Sequence, residues 1–197
     1  MTTKLSLNPQ LARMLVAGVF AAAVAAPAAA ADDIFLKLDG IRGESMDARH
    51  KDEIEILSYT QTFSGPFAKS GTPSTAAAAG KTTCGPVTIM KYIDVSSPDL
   101  ILNAANGRHI PTAVFTFRRP GKELAEYYKV ILEDVIVVEV EQSDTKLNFP
   151  NPAPPRAIEK VSLIGRRFRF EYVATTATGS TGARPKAGWD CVSAGKI

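Results

Sequence analysis

The two histidines, His50 and His109, are the side chains best suited by type to acid–base catalysis or metal binding. Both stand beside probable turns, and a metal site would require further ligands at helix or hairpin spacing. A histidine in that setting is typical of a surface or capping position. We therefore predict no metal site in this chain.

Residues that could act as nucleophiles or catalytic acids lack the partners that such chemistry needs. No G-x-S-x-G elbow and no glycine-rich phosphate loop occur, and Cys84 has no nucleophile signature around it. Glu139 and Glu141 share one face of a strand pattern, which is typical of a solvated surface. We predict no catalytic residue and no cofactor, so the protein is not expected to be an enzyme.

The segment Arg166–Phe170 mixes basic and aromatic residues, as sites for single-stranded nucleic acid do. Strand alternation offers another explanation, in which Arg167 and Arg169 face solvent while Phe168 and Phe170 face the core. The formal net charge is only +3 at pH 7, far from the basic footprint of a nucleic-acid-binding domain. We therefore favour the alternation and expect no nucleic-acid partner.

The chain has two cysteines, Cys84 and Cys191, which fit no zinc pattern. In an oxidising compartment an even number of cysteines permits one disulfide, which would tie the C-terminal tail to the middle of the domain. The alternative is that both are unpaired, small hydrophobic residues. The sequence leaves these two possibilities open.

Residues 1–31 have the composition of a secretory signal peptide. Lys4 and Arg13 form a positive region, an apolar stretch from Leu15 follows, and Ala28–Ala31 offers a cleavage site. The alternative is an uncleaved membrane anchor. We expect a Sec-type leader, passage through the periplasm and a secreted protein with no stable membrane insertion. Losing Lys4 and Arg13 would lower the formal charge from +3 to +1.

Strand patterns dominate the sequence after residue 31. Apolar and polar residues alternate in about seven to eight segments. One helix is expected near 98–106, since Ser96 and Pro98 form a helix start and Gly107 stands where a C-terminal cap would. Strands with one apolar face must close or stack, so we predict a mainly β fold, an antiparallel β-barrel of two packed sheets with one short helix.

Two irregularities are expected in the longest strand patterns. Val161 and Leu163 are odd-numbered whereas Phe168 is even-numbered, so a bulge at Gly165 would switch the buried face. The segment from Tyr127 to Val140 is interpreted as two strands that are joined near Glu133-Asp134.

Two segments break the strand pattern. Residues 64–83 are rich in Gly, Pro and Ala, and a connection of this length in a compact domain is often functional. It is either a solvated loop or one that reaches a neighbouring subunit. Residues 177–197 are rich in Gly, Ser, Thr and Ala and are interpreted as a flexible tail, which leaves one barrel domain over 32–197.

Beyond these patterns, the chain resembles the Hcp (haemolysin-coregulated protein) family, the tube proteins of the type VI secretion system. The first segment that carries the resemblance is DIFLKLDGIRGES, residues 33–45. The others, in matching order and spacing, are residues 53–58, 91–94, 97–100, 107–111, 127–135, 159–163 and 188–190.

The resemblance implies a non-enzymatic β-barrel with one helix that assembles into a hexameric ring with a wide lumen. Rings of this family stack into an exported tube inside a contractile sheath, with a spike protein at the tip and effector proteins in the lumen. It further implies that the connection after the second strand contacts the neighbouring subunit. The contact residues would be Ser64, Gly65, Pro66, Phe67, Ala68, Lys69, Ser70, Gly71, Thr72 and Pro73.

Typical members of this family lack a secretory leader, so the predicted signal peptide is a departure from the family pattern. The alternative hypothesis is a monomeric periplasmic or secreted binding module that uses the same barrel for a small ligand or a protein partner. The two hypotheses differ in oligomeric state, because only the first requires copies of the chain to associate.

Overall fold

The structure is a computed structural model, and it describes residues 32–65, 82–120, 125–143, 156–174 and 182–197. All of them belong to one compact unit, Ala31–Ile197. The predicted signal peptide, residues 1–31, lies outside the described residues.

The described chain consists of nine strands and one helix. In chain order these are β1 (Asp33–Leu38), β2 (Ile54–Ile56), β3 (Ser58–Ser64), β4 (Thr83–Tyr92), α1 (Ser97–Asn106), β5 (Ile110–Arg118), β6 (Glu126–Ser143), β7 (Ile158–Tyr172), β8 (Lys186–Asp190) and β9 (Gly195–Lys196). The mainly β class with one short helix is confirmed.

The strands form a single antiparallel sheet rather than the two packed sheets that were predicted. Its main path runs β2-β1-β5-β6-β7-β4-β3, with β8 on the edge of β7 and β9 on β8. The path is uninterrupted because β6 and β7 are long and pair from Tyr128↔Tyr172 to Ser143↔Ile158. Its terminal strands, β2 and β3, are consecutive in the chain with Leu57 between them, so the sheet curls back on itself although no ladder joins the two.

The core lies inside this curl and is built from alternating positions of the strands. On β4, Val87 and Ile89 are fully buried, and they face the buried Val161 and Leu163 of β7. Burying a side chain of this size contributes about 1.5–3 kcal/mol, so the inner face supplies most of the driving force for folding. Other large, fully buried members of the core are Leu36, Ile54, Leu100, Phe115, Val130, Leu132 and Phe168.

On both β6 and β7, burial changes from even-numbered to odd-numbered residues or the reverse along the strand. The predicted bulge at Gly165 is not the cause. Val135 pairs with Gly165 in unchanged register, whereas the register shift falls between Val137 and Glu139. Asp134 has a positive φ of 55°, which kinks β6 without ending it. The predicted division of this segment into two strands is therefore wrong, because an aspartate tolerates the left-handed conformation and the pairing of β6 with β7 resumes in the same register on its other side.

Gly165 has a different role, namely close packing. A Cβ atom at this position would lie 2.9 Å from Cβ and 3.0 Å from Cγ of Leu132. Only a residue without a side chain therefore allows β7 to approach the buried Leu132 of β6 so closely.

The helix begins one residue before the predicted segment and ends as predicted. Pro98 lies in its first turn, and Gly107 adopts the left-handed conformation with φ 63° and donates its N–H to Asn103. Leu100 and Asn103 are buried, whereas Ile101 and Leu102 are 44% and 59% exposed.

The C-terminal residues are not the flexible tail that was expected. Residues 186–190 form β8, which pairs with residues 167–171 of β7, and the chain then turns so that β9 pairs with β8. β4 pairs with β7 only as far as Leu163, so the edge of β7 beyond that residue is free to pair with β8. Composition does not reveal such a pairing, and the prediction of a flexible tail from composition is therefore wrong. Residues 175–181 lie outside the described residues.

Candidate functional site

The predicted contact segment begins at the end of β3. Ser64 is the last residue of β3 and pairs with Thr83, the first residue of β4, so the 64–83 connection leaves and re-enters at one end of the sheet. Ser64 is half-buried and Gly65 is exposed. The remaining predicted contact residues, Pro66 to Pro73, lie outside the described residues, which resume at Thr82.

An aromatic cluster lies at the base of this connection. The Phe63 ring stands edge-on to Phe168 and Phe170, with centroids 5.0 and 5.7 Å apart. Together with Thr82 and Trp189, Phe63 and Phe170 line an open cleft of about 310 Å³ that is mainly apolar. We call it the aromatic cleft.

A disulfide spans the same region. Cys84 on β4 is bonded to Cys191, one residue past the end of β8, across a sequence separation of 107 residues. Cys84 also pairs with Phe63 in the β3–β4 ladder. The disulfide therefore links β4, the ladder partner of the strand that carries Phe63, to the residue directly after β8, whose residues line the other side of the cleft.

Asp190, the last residue of β8, lies next to the disulfide-bonded Cys191 and makes several polar contacts. Its side chain is 5% exposed and lies 3.0 Å from Nε of Arg167 and 3.5 Å from Nε of Arg166. It also accepts hydrogen bonds from the backbone N–H groups of Val192 and Ser193, both at 2.9 Å. These backbone donors, followed by Arg167, hold the pKa of Asp190 well below its usual range.

A second exposed surface lies on the outer face of β6 and β7. Val138 is 47% exposed and Ile164 is 42% exposed, and Ile136 is the direct partner of Ile164 in the ladder. We call Ile136, Val138 and Ile164 the β6–β7 patch. Charged residues border it, including the ion pair of Lys160 with Glu139 at 3.4 Å. An apolar patch with a charged rim is the usual form of a protein–protein contact.

A buried ion pair joins β4 to β7 beneath this surface. Lys91 and Glu159 are register partners, both side chains are fully buried, and Nζ lies 2.7 Å from Oε1. Lys91 also donates to Asp94 at 2.8 Å, and Ser97 of α1 donates to Glu159 at 2.7 Å. All three charges are satisfied inside the protein, which indicates a structural role.

A second buried cation is Arg118 at the end of β5. Its guanidinium lies 2.8 Å from Asp33 and 2.6 Å from Asp47, and it stacks over the ring of Phe35 with Cζ 4.8 Å from the centroid. The hydrogen bond from Arg118 lowers the pKa of Asp47. This cluster fixes the 42–53 segment against β1.

The two histidines have different surroundings. His109 is exposed and contacts Asp134, as expected of a surface residue. His50 is instead 4% exposed, stacked on Phe35 at 4.2 Å between centroids, with Nδ1 2.9 Å from Glu53. The expectation of a surface or capping position is wrong for His50, because the 42–53 segment folds over β1 and buries it.

Within the described ranges, no group of three or more His, Cys, Asp or Glu side chains is placed to hold a metal ion. In the same part of the chain, no helix is long and apolar enough to cross a membrane. The basic and aromatic segment of β7 behaves as the alternation predicts, since Phe168 is fully buried while the side chains of Arg167 and Arg169 are 42% and 53% exposed.

Sequence reasoning missed the charges inside the fold. Lys91 shares its face with Val87 and Ile89, which was a usable signal for a buried cation. Its partner Glu159 stands on the same alternating face as Val161, which was a signal of the same kind.

Comparison with known proteins gives a consistent result. A family model described as "Type VI secretion system effector, Hcp" matches residues 35–172. The chain is 30% identical over 160 residues to Protein hcp1 of Pseudomonas aeruginosa, which covers 80% of this chain and 94% of that relative.

Solved structures agree with the sequence comparison. Hcp1 from Salmonella typhimurium has a TM-score of 0.66 at 33% identity, covering 85% of this chain and all of that one. A type VI secretion system effector from Yersinia pestis has a TM-score of 0.62 at 25% identity, covering 80% of this chain and 99% of that one.

Proposed function

The chain belongs to the Hcp family of type VI secretion system proteins, and from this premise we propose that it is a non-enzymatic subunit that assembles with copies of itself into the rings of a secreted tube. The observation that carries this proposal is the extent of the family match, which begins in β1 and ends with the last residue of β7. It therefore includes every strand of the main path of the sheet.

A ring requires two different surfaces on each subunit, because a head-to-tail contact joins one face to another. We assign one surface to the connection after β3, where residues 64–73 are the predicted contact. We assign the other surface to the β6–β7 patch, since Val138 and Ile164 are large apolar side chains that remain about half exposed and are bordered by charged residues. By family resemblance the ring has six members and stacks into a tube.

The further partners of the proposed tube follow from the same resemblance. We propose a spike protein at its tip, a contractile sheath around it and effector proteins in its lumen. Members of the family leave the cell through the type VI machine, and for this chain we add a Sec-type leader over residues 1–31, so that the subunit would pass through the periplasm.

The experiment that tests the proposal is the molar mass of the purified protein, measured by light scattering after size-exclusion chromatography. We expect a mass near six subunits. Deleting residues 70–80 removes part of the connection that forms the first surface, so it should reduce the mass to that of a monomer. I164D should have the same effect, because association would bury an unpaired carboxylate at the patch.

The matched control is L102D on α1, which places the same charge on a side chain that is 59% exposed and is not a member of the patch. It should leave the ring mass unchanged. A monomer at high concentration for the unaltered chain would refute self-assembly and favour the monomeric binding module. An equal loss of mass in I164D and L102D would refute the assignment of the β6–β7 patch.

A further inference from the structure

We propose that the Cys84–Cys191 disulfide is a reducible clasp for the C-terminal segment 186–197, which we call the strap. Reduction by a dithiol releases the strap from the edge of β7 and opens the aromatic cleft, while the rest of the sheet stays folded. This inference is independent of ring assembly. The strap lies beyond the family match, which ends at residue 172, whereas its partner Cys84 lies within that match.

The disulfide lies at a gap between β4 and β8. Both strands pair with the same edge of β7, but no ladder joins them to each other. On this edge of β7, residues 158–163 pair with β4 and residues 167–171 pair with β8. Within the described residues, β8 forms ladders with β7 and β9 alone. The disulfide is thus the covalent connection between β4 and the end of β8 across that gap.

Apart from Trp189, the strap buries little apolar surface of its own. Lys186 and Ala187 are exposed, Val192 is 71% exposed and Ile197 is 47% exposed. Besides the disulfide, its attachment includes five ladder positions on β7, the ion pairs of Asp190, the exposed ion pair of Lys186 with Glu171, and a hydrogen bond from the N–H of Cys191 to the carbonyl of Arg166. Segments with few buried apolar contacts open at lower free energy than the core does.

The β5–β6–β7 part of the sheet has the opposite character. Phe115 and Val130 are fully buried and lie opposite each other in the β5–β6 ladder, and Leu132 faces Phe168 in the next ladder. None of these contacts involves the strap. Loss of the strap therefore leaves the central strands paired.

Cys84 and Cys191 are both half-buried rather than fully enclosed. A thiolate of the dithiol attacks one sulfur, forming a mixed disulfide and expelling the other cysteine as a thiolate. The second thiol of the reductant then attacks the mixed disulfide and releases the remaining cysteine. Two electrons pass to the protein, each cysteine thiolate takes up one proton, and the dithiol becomes a disulfide.

Trp189 provides a direct reporter, because it is the sole tryptophan of the chain and lies on the strap itself. It pairs with the fully buried Phe168 and lines the aromatic cleft. Release of the strap should move its fluorescence emission to longer wavelength. Collisional quenching by acrylamide should increase several-fold.

The experiment uses protein expressed from the full-length sequence, with dithiothreitol as the dithiol. Complete reduction is verified by mass after alkylation of both cysteines. We expect the Trp189 change and faster hydrogen exchange over residues 187–191, with unchanged far-UV circular dichroism and unchanged exchange in β5 and β6. The C84S/C191S double variant should show the released state without reductant and should not respond to it.

Two results would overturn the proposal. If Trp189 fluorescence and exchange over 187–191 stay the same in fully reduced protein, the strap does not depend on the clasp. If the dichroism of the whole sheet is lost with the Trp189 signal, the disulfide stabilises the entire fold rather than the strap. Reduction of the folded protein distinguishes these outcomes even if the double variant fails to fold.

Discussion

Replacing Lys91 by Met should destabilise the protein more than any single surface substitution. The Lys91 side chain is fully buried, and its ammonium donates to Glu159 at 2.7 Å, to Asp94 at 2.8 Å and to the carbonyl of Tyr92 at 2.8 Å. Methionine has a similar shape but no charge, so the substitution changes electrostatics more than packing.

The expected magnitude follows from what the substitution leaves behind. Two carboxylates, Glu159 and Asp94, lose their shared cation, and breaking a buried ion pair from one side costs about 3–5 kcal/mol. In E159Q, by contrast, Lys91 keeps Asp94 as its counter-ion, so the cost is that of a charged hydrogen bond, about 1.5–3 kcal/mol. At about 2–4 °C per kcal/mol, K91M should lower Tm by roughly 6–20 °C.

The assay is urea unfolding of K91M, E159Q and the double variant, completing a double-mutant cycle. Because removing both partners leaves less uncompensated charge, the double variant should lose less stability than the sum of the single losses. K160M is the matched control, since Lys160 lies on β7 beside Glu159 but forms only exposed ion pairs. A loss in K91M no larger than in K160M, or strict additivity, would refute this reasoning.

Two further predictions test other parts of the fold. Gly43→Ala should cost about 1–3 kcal/mol or more, since its Cβ would lie 2.2 Å from the carbonyl oxygen of Glu53. Gly195→Ala, whose nearest atom is 3.7 Å away, should cost far less, and thermal unfolding compares the two. The lowered pKa of Asp190 adds stability that is present at neutral pH and decreases as the pH falls below about 4. D190N should remove that part of the acid dependence, and an unchanged acid-unfolding curve would contradict the role of Asp190.

The sequence predicts the locally determined features well. The helix follows from Pro98 and Gly107, because the start and stop signals act within a few residues, whereas the side chain of Ser96 makes no capping hydrogen bond. The orientation of Phe168 follows from strand alternation alone. In both cases the physical cause lies in the segment itself, so no knowledge of the rest of the fold is required.

Features that depend on register could not be predicted in the same way. Alternation places Lys91 on a buried face, but its partner Glu159 is 68 residues away, and only the β4–β7 register brings the two together. His50 is a similar case, since its burial depends on the segment that folds back over Phe35. The disulfide likewise depends on β8 docking beside β4, which the cysteine count alone left open.

The sequence Cys84-Gly85-Pro86 gives a physical reason for the arrangement at the aromatic cleft. Proline has no backbone N–H to donate to a ladder, and the last pair of the β4–β7 ladder is Val87↔Leu163, directly after Pro86. β4 therefore leaves β7 at this point and remains paired with β3 alone, where Cys84 lies opposite Phe63. The vacated edge of β7 is the one that β8 occupies, and Cys191 then comes within bonding distance of Cys84. Pro86 thus marks the point where the edge of β7 becomes free for the strap, and the disulfide spans the gap where β4 and β8 share no ladder.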